Sequence, residues 1–262
     1  MDIIIPTLGR IKTQTTFNNL PARWKEKVQF VVQSHEYEAF CDAHGSRHVH
    51  SLPESIVTIA ATREWIHNKY KGGRYFVCDD DLDFRVREPN EDGDTAWKTR
   101  DNTTEDFDDM FDLIEEWMDE GVSHGALATT WVLPTLAIYP YNENSKIMTN
   151  VFYDGPKIPD NIQWGRVPFA EDFDVNLQLL TQGFKNRVSR KYVVAPGDTN
   201  QEGGCSTLRT IESHNASQLL LKELWPDFVR IKEKVATTGA WKGKTKLGTV
   251  IQAKKAYLSS IT

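Results

Sequence analysis

What this chain of 262 residues has little of narrows its class first. Cysteine occurs three times, at Cys41, Cys78 and Cys205. An odd number at such wide spacing argues against both a disulfide framework and a zinc cluster, leaving free thiols in a reducing compartment as the expectation. No apolar run approaches the ~20 residues that span a bilayer. No basic or apolar leader precedes the strand-like Ile3-Ile4-Ile5, so a soluble cytoplasmic protein with no membrane partner is expected. Internal repeats and low-complexity tracts are missing. Missing too are a Ser-His-Asp order, a nucleophile elbow, a dinucleotide-binding glycine fingerprint and an HExxH pair, which removes several common enzyme classes.

The overall charge of −6 conceals an asymmetry. From Asp227 to Thr262 eight Lys or Arg face only Asp227 and Glu233, a net of +6, so the first 226 residues carry −12. A basic end on an acidic body is either a solvated face or a handle for a polyanion, with Lys242, Lys244 and Lys246 as the candidate nucleic-acid contacts.

The apolar pattern is that of an α/β protein. Ile3-Ile4-Ile5 is stopped by Pro6, with Thr7, Gly9 and Arg10 in the loop beyond, and Val28 to Val32 is a second buried run. A crossover helix ending near Asn19 would join them as a parallel unit. Helices are expected over Glu36 to His44 and Ser55 to Tyr70, with a short strand Val49 to Leu52 between them. Thr103 and Asp106 read as a capping box opening an amphipathic helix through Met118. Strands are expected at Ala126 to Leu133, Met148 to Tyr153 and Arg190 to Ala195, and a helix over Ala216 to Leu224. The polar stretch Glu88 to Asn102, with Asn90 and Gly93, reads as a mobile loop.

Tyr75 to Cys78 is an apolar strand that runs directly into Asp79, Asp80, Asp81 and Asp83, four carboxylates within five positions. Such carboxylates repel one another unless a cation neutralises them, and a hard ion such as Mn²⁺ or Mg²⁺ suits oxygen ligands. The plain alternative is a solvated acidic turn. A calcium-binding helix-loop-helix is excluded, because Phe84 stands where its turn needs glycine and Asn90 where a bidentate Glu belongs. Arg63, on the helix before this strand, is either a solvated arginine or one that reaches a phosphate or carboxylate. Glu171, Asp172 and Asp174 form a second acidic cluster at a helix start, where the macrodipole and capping alone favour acids. Gly203 and Gly204, followed by Arg209, suggest a weak phosphate cradle.

In this order the features resemble the GT-A glycosyltransferases. Ile-Ile-Ile-Pro-Thr-Leu-Gly-Arg is similar to their first strand and loop, Asp79-Asp80-Asp81 to their DxD motif, and Ala170 to Asp174 to the later Glu-Asp motif of inverting members. The chain looks most like the phage TET-associated glycosyltransferases, which act on hydroxymethylpyrimidines in DNA. The resemblance implies a Rossmann-like, mostly parallel central sheet flanked by helices over residues 1–226. A basic helical extension, 227–262, would pack on the same domain. It implies hexosyl or pentosyl transfer from a nucleotide sugar, a UDP-sugar in particular, with Mn²⁺ or Mg²⁺ held by Asp79, Asp81 and His214, His124 being second choice as the histidine. Asp172, or else Glu171, would be the base. Pro6, Thr7, Arg10, Arg63, Asp80, Gly203, Gly204 and Arg209 would bind the donor, and DNA containing hydroxymethylpyrimidine would be the acceptor. The alternatives are a glycan or small-molecule acceptor, a nucleotidyltransferase, and a degenerate sugar- or nucleic-acid-binding module.

Overall fold

A computed structural model describes residues 1–89, 97–131, 140–197, 204, 209–237 and 239–261. In chain order the strands are β1 (Asp2–Pro6), β2 (Val28–Val32), β3 (Val49–Ser51), β4 (Arg74–Cys78), β5 (Leu82–Pro89), β6 (Trp97–Asp101), β7 (His124–Thr129), β8 (Tyr141–Glu143), β9 (Asn150–Asp154), β10 (Asn186–Pro196), β11 (Val229–Val235) and β12 (Thr245–Ile251). The helices are α1 (Thr15–Asn19), α2 (Ala22–Lys25), α3 (Tyr37–His44), α4 (Ile59–Tyr70), α5 (Thr104–Asp119), α6 (Glu171–Thr181), α7 (Ile211–Leu224) and α8 (Ala253–Leu258).

One large sheet runs in the order β3-β2-β1-β4-β9-β7-β10-β5-β6, with β8 paired to β10. Its first four strands are parallel, as are β7 and β10, whereas β9 enters antiparallel between β4 and β7. Parallel neighbours place the ends of β1, β2 and β4 along one edge, where the loops of an α/β sheet meet ligands.

Both faces of the sheet are covered, which is why its central strands are apolar without alternation. Ile3, Ile5, Phe30, Val32 and Phe76 point to a layer holding Phe40 of α3 and Phe107, Met110, Phe111 and Ile114 of α5. Ile4, Val31, Tyr75 and Val77 point to the other, which holds Ile66 of α4 and Val175 and Leu179 of α6. Each such side chain contributes roughly 1.5–3 kcal/mol by leaving water. The Thr103 capping box is present, with Thr103 Oγ1 accepting from Asp106 N and Asp106 returning the bond.

Two expectations change. The stretch Glu88 to Asn102 is in part a hairpin, since Trp97–Asp101 pairs antiparallel with β5; Asn90 and Gly93 lie outside the described residues. Its polarity reflects an edge strand whose exposed face has no core to meet. The basic end is not chiefly helical. β11 and β12 form an antiparallel hairpin from Val229↔Ile251 to Val235↔Thr245, and the short helix α8 follows it. β-Branched Val229, Ile231, Thr245, Thr249, Val250 and Ile251 favour strand, and the lysines interleaved among them hid that pattern. A third apolar cluster joins this segment to the body through Leu177 and Leu180 of α6, Leu221 of α7, Val229, Ala253 and Ala256. Leu133, at the expected end of the strand from Ala126, lies outside the described residues.

Candidate active site

The acidic loop after β4 is pinned by its backbone before any side chain acts. Asp79 N donates to Thr149 O at 2.9 Å, Thr16 N to Asp80 O at 3.2 Å, and Gly197 N to Asp81 O at 3.0 Å. Thr16 Oγ1 donates to Asp79 O at 2.5 Å and accepts from Leu82 N at 2.9 Å. Three separate segments therefore hold one three-residue loop. Thr149 has φ of 64°, a conformation costly for a β-branched residue.

With the backbone held, the three aspartates diverge. Asp80 turns inward and is consumed by the first loop: Thr7 Oγ1 donates to Oδ2 at 2.5 Å and Arg10 Nη1 to Oδ1 at 2.5 Å. Gln14 Nε2 in turn holds Thr7 Oγ1 at 2.9 Å. Arg10 also reaches Asp81 Oδ2 at 3.1 Å. Asp79 accepts from Arg63 Nη2 at 3.2 Å.

Arg63 is not a solvated helix arginine. It is 8% exposed, and its Nε lies 3.0 Å from Glu171 Oε1. Burial opposes its charge, but the carboxylates of Glu171, Asp79 and Asp172 outweigh burial and raise its pKa. It thus joins the acidic loop to the start of α6.

At that start Glu171 is buried and ion-paired, whereas Asp172 is partly exposed, with Oδ1 accepting from Phe173 N at 2.8 Å. Burial raises the Asp172 carboxyl above its usual range, against Arg63 and Lys146. Glu171 is raised as well, by burial first. Asp174 is structural, gripped by Arg166 at 2.7 and 2.8 Å and by Trp225 Nε1 at 2.6 Å.

These groups line one cavity of about 360 Å³. Its walls include Pro6, Thr7, Arg10, Arg63, Asp79, Asp80, Asp81, Glu171, Asp172, Gly204 and Arg209, so residues far apart in sequence are brought together. Gly204 has φ of 63° and spends its N–H on Leu8 O at 2.7 Å, so it braces the first loop and does not offer that N–H to a ligand. Gly203, like Cys205 to Thr207, lies outside the described residues.

The histidines are not brought to the aspartates. His214 does not line the cavity; its Nε2 is 2.8 Å from Leu247 O and its ring packs edge-on against Trp241. His124 is buried in β7 between Ser123 and Asn176, and burial lowers its pKa to about 4. Lys242 and Lys244 are exposed in the β11–β12 connection, and Lys246 lies on β12 beside Trp241.

Whether the aspartates suit a divalent ion follows from their surroundings. Asp79 keeps 35% of its side chain exposed, and burial with the nearby Asp81, Asp80 and Glu171 raises its pKa despite Arg63, a rise that solvent tempers. That excess of negative charge suits a cation. Among the described residues no three His, Cys, Asp or Glu side chains gather about one point. A metal here would therefore take most of its ligands from a bound phosphate and water.

The sequence reading missed Gln14, Thr149 and Trp131. Trp131 is 57% exposed at the cavity wall. An aromatic at a strand's carboxyl end was a signal, although one shared with many core positions.

Carboxylates and arginines converging at the carboxyl ends of parallel strands define an α/β group-transfer site. Residues 1–204 match the family model described as TET-Associated Glycosyltransferase, and the chain belongs to that family. It is a glycosyltransferase. It is 30% identical over 236 residues to the "Beta-glucosyl-HMC-alpha-glucosyl-transferase" of Enterobacteria phage T6, covering 88% of this chain and 84% of the relative. The protein of the same name from phage T2 is 29% identical over the same coverage. Among solved structures, glucosyl-3-phosphoglycerate synthase from Mycobacterium tuberculosis, in complex with Mg²⁺ and uridine-diphosphate, matches with a TM-score of 0.48 at 12% identity, covering 95% of this chain and 86% of that one. TarS 1–349 of S. aureus matches at 0.44 and 13%, covering 85% of this chain and 66% of that one, just under two thirds of its length. No helix among the described residues is long and apolar enough to cross a membrane.

Proposed function

We propose that this glycosyltransferase moves a sugar from a nucleotide-sugar donor to a hydroxyl carried by hydroxymethylpyrimidine in phage DNA, either the hydroxymethyl group or a sugar already on it. The observation that carries this reading is the single cavity that holds the Asp79–Asp81 loop on one side and Glu171 with Asp172 on the other. The names of the phage relatives, which join glucosyl transfer to HMC, support the acceptor.

Asp79 and Asp81 would hold a Mn²⁺ or Mg²⁺ ion, which supplies charge neutralisation for the leaving diphosphate. Arg10, fixed against Asp80 and Asp81, flanks the donor phosphates, and Arg63 keeps Asp79 and Glu171 in register. Asp172 accepts the acceptor's hydroxyl proton as that oxygen bonds to the sugar's anomeric carbon and the bond to the diphosphate breaks. Asp172 fits the base better than Glu171, because Glu171 is already committed to Arg63.

The experiment is transfer by purified protein with Mn²⁺, offered several nucleotide sugars and DNA containing hydroxymethylcytosine, bare or glucosylated, with nucleosides read by mass spectrometry. A hexose or pentose mass added to the modified base is expected. Transfer to a glycan or small molecule with none to DNA would refute the acceptor assignment.

A further inference from the structure

The β11–β12 hairpin segregates its charge by face. Side chains alternate along each strand, so Arg230, Lys232 and Lys234 share a face with Lys246, which stands directly opposite Lys234. The other face begins with Val229 and Ile251, which join the apolar cluster beneath α7 and α8. α7 also closes the outer edge of β12, with Asn215 Oδ1 accepting from Leu247 N at 2.8 Å and His214 on Leu247 O. The basic face is therefore the one left outward.

Like charges placed directly opposite on a hairpin destabilise it. Among the described residues no salt bridge within 4 Å is made by Arg230, Lys232, Lys234 or Lys246. Gly248, having no side chain, leaves room for the Lys234 chain, whose Cδ and Cε would lie 3.2 Å from a Cβ added there. The cluster also reaches the active site. The Trp241 ring has Lys246 Nζ 5.7 Å from its centre and Arg209 Cζ at 5.5 Å, and Arg209 lines the cavity with Asp172. Lys146 feels both Lys234 and Asp172, and its pKa is lowered by burial and by Lys234. Lys246 is lowered by burial, Arg209 and Lys234.

We propose that this outward face is the seat of the acceptor's phosphate backbone, with Lys232, Lys234 and Lys246 contacting successive phosphates and the Trp241–Arg209 pair leading the strand toward Asp172. The inference rests on the DNA reading of the acceptor and narrows it to a surface. A run of cations that repel one another becomes favourable once a polyanion lies across it. The Trp241–Arg209 pair opens into the cavity that holds Asp172, and Lys146 feels both Lys234 and Asp172, which assigns the phosphates to the acceptor and not to the donor.

The test compares the full-length protein with Lys232→Ala/Lys234→Ala, and with the charge-keeping Lys232→Arg/Lys234→Arg, in binding a short unmodified DNA duplex across a salt series. The alanine pair is expected to weaken binding about tenfold and to reduce the slope of log affinity against log salt by about 1–2, since each lost phosphate contact removes roughly 0.9. The arginine pair is expected to bind as the parent does. Affinity for uridine diphosphate, measured alongside, is expected to stay within twofold. Equal DNA affinity and salt slope in the alanine pair would overturn the proposal, as would a parallel loss of uridine diphosphate affinity, which would make the face a donor site. If the parent binds duplex with this lysine dependence yet transfers nothing to hydroxymethylated DNA, the acceptor reading falls and the polyanion face stands. If transfer occurs and the alanine pair binds normally, the reverse holds.

Discussion

Arg63 Nε lies 3.0 Å from Glu171 Oε1, so one buried guanidinium on α4 ties the start of α6 to the acidic loop after β4. Through it the two acidic clusters become one site. Burial raises the carboxyls of both Asp79 and Glu171, and Arg63 opposes that rise at each. On the proposed function, Arg63 is the positioning residue between the donor and acceptor halves.

Removing Arg63 should cost stability as well as activity. Arg63→Ala leaves Asp79 and Glu171 facing each other without their shared cation, and breaking a buried pair in this way costs about 3–5 kcal/mol. Arg63→Lys keeps the charge but not the two-pronged reach, so a smaller loss is expected. Urea unfolding of the two variants measures the difference. An unchanged midpoint for the alanine variant would contradict the role assigned here.

The base should be visible in the pH dependence. Burial raises the Asp172 carboxyl above the usual range, and a base must be ionised to take a proton. Transfer should therefore fall with decreasing pH along a limb lying above the ~3.9 of a free aspartate. Asp172→Asn should lower kcat by ~10²–10⁴ and flatten that limb. Glu171→Gln is expected to leave the limb in place. Loss of the limb in the Glu171 variant alone would exchange the two roles.

Local stability offers a separate check in the capping box of α5. Arg100 first, and the Thr103 backbone and hydroxyl with it, hold the Asp106 carboxyl down to about 2. A depressed carboxyl stabilises the fold above its unfolded pKa, and that contribution is lost as pH falls from about 3.9 toward about 2. Thr103→Ala should cost about 1 kcal/mol at neutral pH. Asp106→Asn should flatten stability across that acid window, and thermal melts at several pH values would follow it.

Much of the architecture was legible because its signals are local. Ile3-Ile4-Ile5 and Val28 to Val32 announce buried strands by composition alone, and Thr103 with Asp106 announces a helix start by spacing. The acidic loop was legible as a cluster, but the fate of each aspartate was not: Asp80 is spent on Thr7 and Arg10 because of a parallel register that no local pattern encodes. Arg63 was ambiguous for the same reason, since its burial depends on α6 packing nearby. The hairpin at the C-terminal end was misjudged because lysines at alternate positions mask strand periodicity when the apolar face is short. His214 drew attention as a lone histidine in the right order, yet its partner is a backbone carbonyl supplied by that same hairpin.

Metal binding should depend on the donor's phosphates. Because no three suitable side chains gather about one point among the described residues, Mn²⁺ alone is expected to bind weakly. With uridine diphosphate present, phosphate oxygens complete the set of oxygen ligands that a hard cation prefers, and Mn²⁺ affinity should rise by at least about tenfold. Calorimetric titration of Mn²⁺ with and without the nucleotide measures this directly. Asp79→Asn and Asp81→Asn should each diminish that rise, and chelation should abolish transfer that Mn²⁺ restores. His214→Ala, by contrast, should leave the nucleotide-dependent Mn²⁺ affinity unchanged, because that ring is turned to Leu247 and Trp241. A drop in Mn²⁺ affinity for the His214 variant matching that of Asp81→Asn would return the histidine to the metal and overturn this placement.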